Sequence, residues 1–337
     1  METPQTTRSV TLETIQDAAA HVYEIVVRTP LVRLQVPPAW RGRWPRAPER
    51  LYLKLETLQP VGSFKIRGAY NAVRQLTPDE RRDGVWTVSA GNAAQGVAIA
   101  ARSLGIPCSV MLMDTAPLTK RAAIARLGAS MVETSYERCW EAVTEHRAEE
   151  MRGTLVHPFD DDRFISGNGT IGLEIVNDLP DVDAVVAAVG GGGLLAGIAA
   201  AVRALKPSTR LFAAEPETAA PLSVSMSHGE ASWFPGWQAS FVDGAGGKSV
   251  LTSMWPFLRT LDDSIVVPLA DVKAAMRLVA EQTHVIAEGA AATAVAAALT
   301  GRAGSGTVVA VVSGGNIDLA KFSALVADPE SAPDAQD

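Results

Sequence analysis

The sequence contains few cysteines, few aromatic residues and no large excess of either charge. Two cysteines among 337 residues, Cys108 and Cys139, are too few for a disulfide framework or a cysteine-ligated zinc site, and they favour a reducing, cytoplasmic compartment. The 30 Lys and Arg residues are outnumbered by 37 Asp and Glu residues, and the formal net charge is -7. Nucleic-acid binding needs a basic patch, and no Lys/Arg cluster is present, so this function is not expected. None of the five histidines has the spacing of metal ligands or of a catalytic triad.

Neither an export signal nor a membrane span is expected. The first ten residues, METPQTTRSV, lack the apolar core of a signal peptide. Residues 184–202 carry no charge over about the length of a bilayer span, but the four consecutive glycines inside this stretch would make a poor membrane helix. A buried strand, a glycine turn and a buried helix explain it better. Small-molecule chemistry without a membrane or nucleic-acid partner is therefore the expected role.

Short apolar runs alternate with segments of helical periodicity, which predicts an α/β fold with a largely parallel sheet. The hydrophobic fraction of 47% is ample for a core. A first helix is expected after Thr11, which is a good N-cap. Residues 36–49 are expected to form a surface loop, residues 215–264 a long functional loop, and the last ten residues a frayed terminus. The expected strands begin near residues 51, 85, 108, 129, 184, 211, 264 and 307.

Residues 190–193 are four consecutive glycines between an expected strand and an expected helix. Such a turn lets backbone N–H groups converge at a helix N-terminus, where they attract an anion such as a phosphate. Gly191, Gly193 and Ala196 also fit a dinucleotide fingerprint, and Glu215 follows about twenty residues later, where a ribose-binding acid would lie. From these residues alone, a phosphate site, an NAD-dependent dehydrogenase and a tight turn without a ligand all remain open.

Six motifs occur in a fixed order along most of the chain. They are SFKIRGAYNAV at 63–73, SAGNAAQGVA at 89–98, HPFDD at 157–161, GNGTIGLEI at 167–175, VGGGGLLAGIA at 189–199 and SGGN at 313–316. This set resembles the fold-type II pyridoxal-phosphate enzymes, and within them the threonine/serine dehydratase and serine racemase group. The resemblance implies a tryptophan synthase β-like α/β fold, with two open, twisted, largely parallel sheets flanked by helices.

The resemblance implies that Lys65, in the SFK motif, is the catalytic lysine and binds pyridoxal 5'-phosphate covalently. An amine can do this only while deprotonated, and burial beside a cofactor lowers its pKa. The glycine turn then corresponds to the phosphate cradle, which removes the need for NAD. Asn92 corresponds to the residue that hydrogen-bonds the phenolic oxygen of the cofactor, and Ser313 to the residue facing the pyridine nitrogen. The expected cofactor-binding residues are Phe64, Lys65, Asn92, Gly190, Gly191, Gly192, Gly193, Leu194, Glu288, Ser313 and Gly314.

The resemblance also places a substrate-binding turn directly after the strand at residue 85. A hydroxyl and backbone N–H groups of this turn would hold a substrate carboxylate at a helix N-terminus. Ala90 departs from the second serine of serine racemases, so the second base for racemisation is missing. Ala93 replaces a histidine common in the dehydratases, so a wider pocket is expected there. The expected substrate-binding residues are Ser89, Ala90, Gly91, Asn92, Ala93 and Asp243.

The expected reaction converts an L-β-hydroxy amino acid of threonine or serine type into a 2-oxo acid and ammonia. The hydroxyl of Ser313 is too weak an acid to protonate the pyridine ring, which favours prompt β-elimination. A bulkier substrate, such as phenylserine or 3-hydroxyaspartate, and a serine racemase are the alternatives. A synthase, a dehydrogenase and a non-enzymatic binding module are disfavoured because they do not account for the motif set.

A cation site, a dimer and two domains complete the expectations from the resemblance. Glu215 matches the first carboxylate of the family's cation site and the carbonyl of Ala219 could contribute, but Pro221 stands where an acidic ligand is expected. Hard cations take several oxygen ligands. The protein is expected to be a homodimer that acts on a small amino-acid substrate. Residues 1–74 and 159–337 would form a large cofactor domain and residues 75–158 a small substrate-carboxylate domain, with the active site in the cleft between them.

Overall fold

The computed structural model describes residues 8–333, which form two β-sheets packed with helices. Neighbouring strands of the larger sheet are parallel except for one antiparallel pair at its edge. This arrangement confirms the expected α/β fold with largely parallel sheets. The order of its six strands is β1 (Leu31–Leu34), β2 (Arg50–Leu55), β10 (Thr307–Val312), β7 (Ala184–Ala188), β8 (Arg210–Pro216) and β9 (Asp263–Val267).

The smaller sheet is entirely parallel. Its strands lie between residues 85 and 155, whereas every strand of the larger sheet lies outside that range. The domain boundaries at residues 75 and 158 stay a prediction. The order of its four strands is β5 (Ser130–Thr134), β4 (Cys108–Met113), β3 (Val85–Val88) and β6 (Thr154–Leu155).

Helices cover both faces of each sheet. The first begins at its expected cap, because Thr11 and Thr14 form a reciprocal capping box. The helices are α1 (Leu12–Val22), α2 (Pro38–Arg41), α3 (Lys65–Arg74), α4 (Asn92–Ser103), α5 (Leu118–Arg126), α6 (Tyr136–Glu145), α7 (Asp162–Asp178), α8 (Gly193–Leu205), α9 (Pro221–His228), α10 (Trp255–Leu258), α11 (Leu269–Thr283), α12 (Gly289–Leu299) and α13 (Leu319–Ala327), with 3-10 helices at Glu56–Leu58 and Pro329–Ser331.

Strand β10 shows why a central strand can be apolar at consecutive positions, as it is from Val308 to Val312. Val308, Ala310 and Val312 pack in the cluster that includes α11 and α12, while Val309 and Val311 pack in the cluster that includes α7 and α8. Successive strand residues point to opposite faces, so a strand covered on both sides favours apolar residues at every position. The ends of these buried parallel strands hold the candidate site.

The segment 36–49 was predicted as a surface loop, and this prediction was wrong. It contains α2, and the rings of Trp40 and Trp44 are 2% and 3% exposed and stack with their centroids 5.5 Å apart. Both rings join the core cluster that contains Leu51 and Leu53 of β2. Large aromatic surfaces gain from leaving water, so a segment rich in proline and arginine can still be anchored by its tryptophans.

The last ten residues were predicted to fray, which is wrong for residues 328–333. Lys273 of α11 binds the carboxylates of Asp328 and Glu330 at 2.6 Å and 2.9 Å, and Ser331 is fully buried. Residues 334–337 of the same prediction lie outside the described residues. The short strands β1 and β6 were also missed, since runs of four and two residues carry little periodicity.

Residues 184–202 form strand β7, a glycine turn and most of α8, as predicted. Between residues 8 and 333, no helix has the length and apolar character needed to cross a membrane.

Candidate active site

Lys65 begins α3 two residues after Ser63, which pairs with Gly314 beyond the end of β10. The Nζ of Lys65 donates to the carbonyl of Pro158 at 2.5 Å and lies 5.2 Å from the ring centroid of Phe64. Its side chain keeps some solvent contact, but its amine has no carboxylate partner within residues 8–333. Desolvation of the ammonium lowers the pKa of Lys65 to about 8. A neutral, nucleophilic amine is therefore accessible near neutral pH.

Beneath Lys65, a buried ionic cluster fixes the start of α3. The Nε of Arg67 binds Glu56 at 2.7 Å and its Nη1 binds Glu174 at 2.6 Å, while the ammonium of Lys54 also binds Glu174. All four charged side chains are almost completely buried. Two cations balance two carboxylates, so the cluster satisfies its own charges and holds the helix that carries Lys65. Sequence analysis did not assign these residues, although Arg67 lies in the same motif as Lys65.

The glycine turn leads from β7 into α8. The backbone N–H groups of residues 190–195 donate to no protein acceptor in the described part of the chain, and α8 begins among them. Gly192 has a φ of 91°, in the left-handed region that favours glycine. Converging donors at the positive end of a helix of 13 residues fit a phosphate group.

Phe159 explains why the turn needs glycine at two further positions. A Cβ on Gly191 would lie 2.1 Å from the Phe159 ring, and a Cβ on Gly193 would lie 2.5 Å from its carbonyl oxygen. The preceding residue, Pro158, supplies the carbonyl that accepts from Lys65. One segment therefore connects the lysine with the glycine turn. Its residues belong to the HPFDD motif, but sequence analysis gave no role to Pro158 or Phe159.

His157 shapes this segment as a neutral side chain. Burial lowers the pKa of His157 to about 3. Its Nδ1 accepts the backbone N–H of Asp160 at 2.7 Å, and its Nε2 lies 3.2 Å from the carbonyl of Val143. Both ring nitrogens are therefore used in holding the backbone of this segment.

Asn92 lies in the middle of a hydrogen-bond chain that joins α4 to the larger sheet. Its Nδ2 donates to Oε1 of Glu288 at 2.6 Å, and its Oδ1 accepts from Nδ2 of Asn316 at 2.7 Å. Desolvation, with the negative charge of Asp243, raises the pKa of Glu288 to about 7. The structure thus brings Asn92 and Glu288 together. Asn316 was not assigned, although it ends the SGGN motif.

Ser313 follows β10 and lies next to the segment that carries Lys65. Its carbonyl accepts the N–H of Phe64 at 3.0 Å. A Cβ on the next residue, Gly314, would lie 2.6 Å from Oε1 of Glu288. This position therefore requires glycine, because the Glu288 carboxylate packs directly against the backbone. The hydroxyl of Ser63 is buried without a hydrogen-bond partner among residues 8–333. This unpaired hydroxyl beside the site could form a hydrogen bond with a polar ligand.

The turn at residues 89–93 connects β3 to α4. The Oγ of Ser89 accepts the N–H of Gly91 at 3.0 Å. The backbone N–H groups of residues 92–94 donate to no acceptor within the described residues, because they open a helix of 12 residues. They can therefore bind a carboxylate. Ala93 is only 4% exposed, and the wider pocket expected beside it stays a prediction.

Asp243 lies in the segment 229–254, which contains no helix or strand. Its carboxylate pairs with the ammonium of Lys120 on α5 at 2.5 Å. In the same segment, the ammonium of Lys248 lies 4.3 Å from the ring centroid of Tyr136 on α6. The segment therefore reaches from the larger sheet to helices of the smaller one. The predicted substrate contact of Asp243 is not tested by these contacts.

Glu215 caps a helix in this structure. Its two carboxylate oxygens accept the N–H groups of Leu222 and Ser223, both at 2.8 Å, and the hydroxyl of Ser264 at 2.6 Å. Burial raises the pKa of Glu215 to about 7. Among residues 8–333, no group of three or more His, Cys, Asp or Glu side chains is arranged to hold a metal. One carboxylate with both oxygens engaged does not fit a divalent cation, and the cation site at Glu215 and Ala219 stays a prediction.

Comparisons with known proteins extend these observations. A family model described as "Pyridoxal-phosphate dependent enzyme" matches residues 22–314. L-threonine ammonia-lyase from Thermotoga maritima is 38% identical over 322 residues, which cover 94% of this chain and 78% of that protein. Serine racemase from Bos taurus is 37% identical over 328 residues, covering 94% and 96%. The solved structure of maize serine racemase has a TM-score of 0.84 with 32% identity, and the match covers 94% of this chain and 96% of that one.

Proposed function

The chain belongs to the pyridoxal-phosphate-dependent enzyme family, and from this premise we propose that it converts an L-β-hydroxy amino acid into a 2-oxo acid and ammonia. The main support is Lys65, whose amine is desolvated and contacts Pro158, the neighbour of the Phe159 that packs on the glycine turn. A threonine ammonia-lyase is among the similar proteins, and a serine racemase is another.

The residues present fit the cofactor. The free N–H groups of residues 190–195 would hold its phosphate, while Asn92 and Ser313 would hold its ring. The remaining residues of the expected set, Phe64, Leu194, Glu288 and Gly314, border these positions. When bound, pyridoxal phosphate supplies an electron sink that stabilises negative charge at the substrate Cα.

The chain's own groups would perform binding and proton transfer. The N–H groups at residues 92–94 hold the substrate carboxylate, which fixes the Cα near Lys65. With a pKa of about 8, about one Lys65 amine in ten is neutral at pH 7 and can accept the Cα proton. The Cα–H bond breaks as its proton passes to Lys65, and the Cβ–O bond then breaks as the hydroxyl takes up one proton and leaves as water, so no net proton is released. The released enamine hydrolyses to the 2-oxo acid and ammonia.

Two residues favour elimination over racemisation. Racemisation requires a second acid/base group on the opposite face of the substrate, and the methyl group of Ala90 cannot supply one. Ser313 can donate a hydrogen bond to the pyridine nitrogen but cannot protonate it, so charge at Cα is relieved most readily by loss of the β-substituent. The preferred substrate is of threonine or serine type or carries a bulkier group, as in phenylserine or 3-hydroxyaspartate.

The proposal is tested with the purified holoenzyme and a panel of L-β-hydroxy amino acids. We expect 2-oxo acid and ammonia in equal amounts, and less than 1% as much D-amino acid, by chiral chromatography. Borohydride reduction followed by peptide mapping should place the cofactor on Lys65, and Lys65→Ala should remove nearly all turnover. Rapid formation of D-serine without ammonia would contradict the elimination proposal and favour the racemase.

The quaternary and cellular parts of the proposal follow the resemblance. We expect a cytoplasmic homodimer in which the small domain, residues 75–158, closes on the large one when substrate binds. Sedimentation with and without an unreactive amino acid tests the homodimer and the closure of the small domain. A monomer that is fully active would refute the homodimer.

A further inference from the structure

A separate cavity lies in the smaller sheet, next to the turn proposed to hold the substrate carboxylate. Its volume is about 160 Å³. Its inner wall is formed by strands β3 and β4 and its outer wall by α6. The residues that define its character are Ala90, Met113, Tyr136, Cys139, Trp140 and Val143.

No residue that lines this cavity, all of which lie between positions 88 and 143, carries a charge. Burial raises the pKa of the Cys139 thiol to about 11, so this side chain stays neutral and behaves as a small apolar group. Apart from the hydroxyl groups of Ser89 and Tyr136, the remaining walls are aliphatic, thioether or aromatic. The lining residues therefore offer no positive charge to a carboxylate, whereas an apolar group would gain from burial against them.

Two contacts connect the cavity with the candidate active site. Ser89 and Ala90 belong both to the cavity wall and to the carboxylate turn. On the other side, Phe159 meets Gly191 of the phosphate turn and packs against the core cluster that contains Cys139 and Val143. The Cβ of an amino acid is two bonds from its carboxyl carbon. A substituent on Cβ is therefore within reach of the cavity when the carboxylate occupies residues 92–94.

We propose that this cavity is the subsite for the β-substituent and that the preferred substrate carries an aryl group there, as in L-threo-phenylserine. The inference rests on the proposed function and narrows its substrate class. A dry apolar cavity of about 150 Å³ accepts benzene, so the phenyl ring is of the right size. The methyl group of threonine would leave most of the volume empty. A 3-hydroxyaspartate substrate is disfavoured, because no lining residue carries a positive charge that would pair with its second carboxylate.

Turnover by matched variants gives the first test. The wild type is expected to have a kcat/KM for L-threo-phenylserine at least about 10-fold above that for L-threonine, since apolar pockets discriminate by about 10–200-fold per group. Val143→Phe fills the cavity and should lower this ratio at least about 10-fold. Val132→Phe makes the same change in the same core cluster outside the cavity, and it should leave the ratio unchanged.

Binding gives a second test that does not depend on turnover. L-phenylalanine and L-2-aminobutyrate carry the phenyl and methyl groups but lack the β-hydroxyl, so neither can eliminate water. Calorimetric titration of the holoenzyme should give at least about 10-fold tighter binding of L-phenylalanine. Trp140→Ala removes an aromatic wall of the cavity at a half-buried position and should weaken the binding of L-phenylalanine more than that of L-2-aminobutyrate. This variant provides a readout if Val143→Phe does not fold.

The two proposals fail in different ways. Ammonia release from threonine that exceeds release from phenylserine, with no preference for phenylalanine over 2-aminobutyrate, would overturn the subsite and leave the elimination reaction standing. Tight phenylalanine binding that is lost in Val143→Phe, without 2-oxo acid from any β-hydroxy amino acid, would support the subsite and overturn the reaction.

Discussion

Replacing Lys65 by methionine is expected to stabilise the cofactor-free protein, although it removes the proposed catalytic amine. Methionine is close to lysine in length and carries no charge. Burial lowers the Lys65 pKa from 10.5 to about 8. One pKa unit corresponds to about 1.36 kcal/mol, so the desolvated ammonium costs the folded state about 3 kcal/mol at pH 7. Lys65→Met removes this desolvation cost. Active sites commonly contain groups that destabilise the fold in this way.

The effect should depend on pH with a defined sign. The folded pKa lies below the unfolded one, so the unfolded chain binds more protons between about pH 8 and pH 10.5, and wild-type stability rises over that range. The advantage of Lys65→Met is therefore largest below pH 8. It falls to about 2 kcal/mol at pH 9 and disappears above pH 10.5.

Lys54→Met is the matched control, because Lys54 is also buried but binds Glu174 and donates to the carbonyl of Thr29 at 2.6 Å. This variant breaks an ion pair and should destabilise the fold by about 3 kcal/mol or more. Urea unfolding followed by tryptophan fluorescence at pH 7 and pH 9 measures the free energy of unfolding of both variants. In thermal unfolding at pH 7, Lys65→Met should raise the Tm by about 4 °C. A loss of stability in Lys65→Met, or an equal gain at both pH values, would refute desolvation as the cause of the lowered pKa.

Three further predictions concern the cofactor turn, the ring contact and the cation site. Gly191→Ala places a Cβ 2.1 Å from the Phe159 ring, so the overpacking of about 1–3 kcal/mol should weaken cofactor binding about 5–150-fold, measured by titrating absorbance near 410 nm. Ser313→Asp should increase racemisation or transamination relative to elimination, because a carboxylate stabilises a protonated pyridine; an unchanged product ratio with cofactor bound would mean that residue 313 does not face the ring nitrogen. Millimolar Mg²⁺ should shift the Tm by less than about 1 °C because both oxygens of Glu215 already accept hydrogen bonds, and a saturable rise that Glu215→Gln abolishes would contradict this.

Much of the fold could be predicted because its signals are local. The run VVAVV at residues 308–312 of β10 has no polar position, and this pattern is typical of a strand covered on both faces. The cap at Thr11 was equally readable, since a capping box needs only neighbouring residues. Strands β1 and β6 were missed because they are too short for a periodic signal, and their pairing depends on the edges offered by β2 and β3.

The sequence predicted which motifs form the candidate site but not how their side chains contact one another. Family membership and the pyridoxal-phosphate cofactor agree with the resemblance that the six motifs carry. The individual roles of Lys65, Asn92 and Ser313 stay predictions. Asn316 and Phe159 were overlooked inside quoted motifs, because a side chain's partner across two sheets leaves no trace in its sequence neighbours.

The sequence alone determined the alternation of strands and helices and the glycine turn before α8, because each depends on residues that are close in the chain. Tertiary structure decided the features that depend on contacts between residues distant in the sequence. The pKa of Lys65 falls because residues far along the chain exclude water from its amine. Gly191 must lack a side chain because Phe159 packs against it, and the apolar cavity beside Ala90 exists because α6 lies over the strands at that point. Burial and close approach are properties of the folded chain, so no local pattern encodes them.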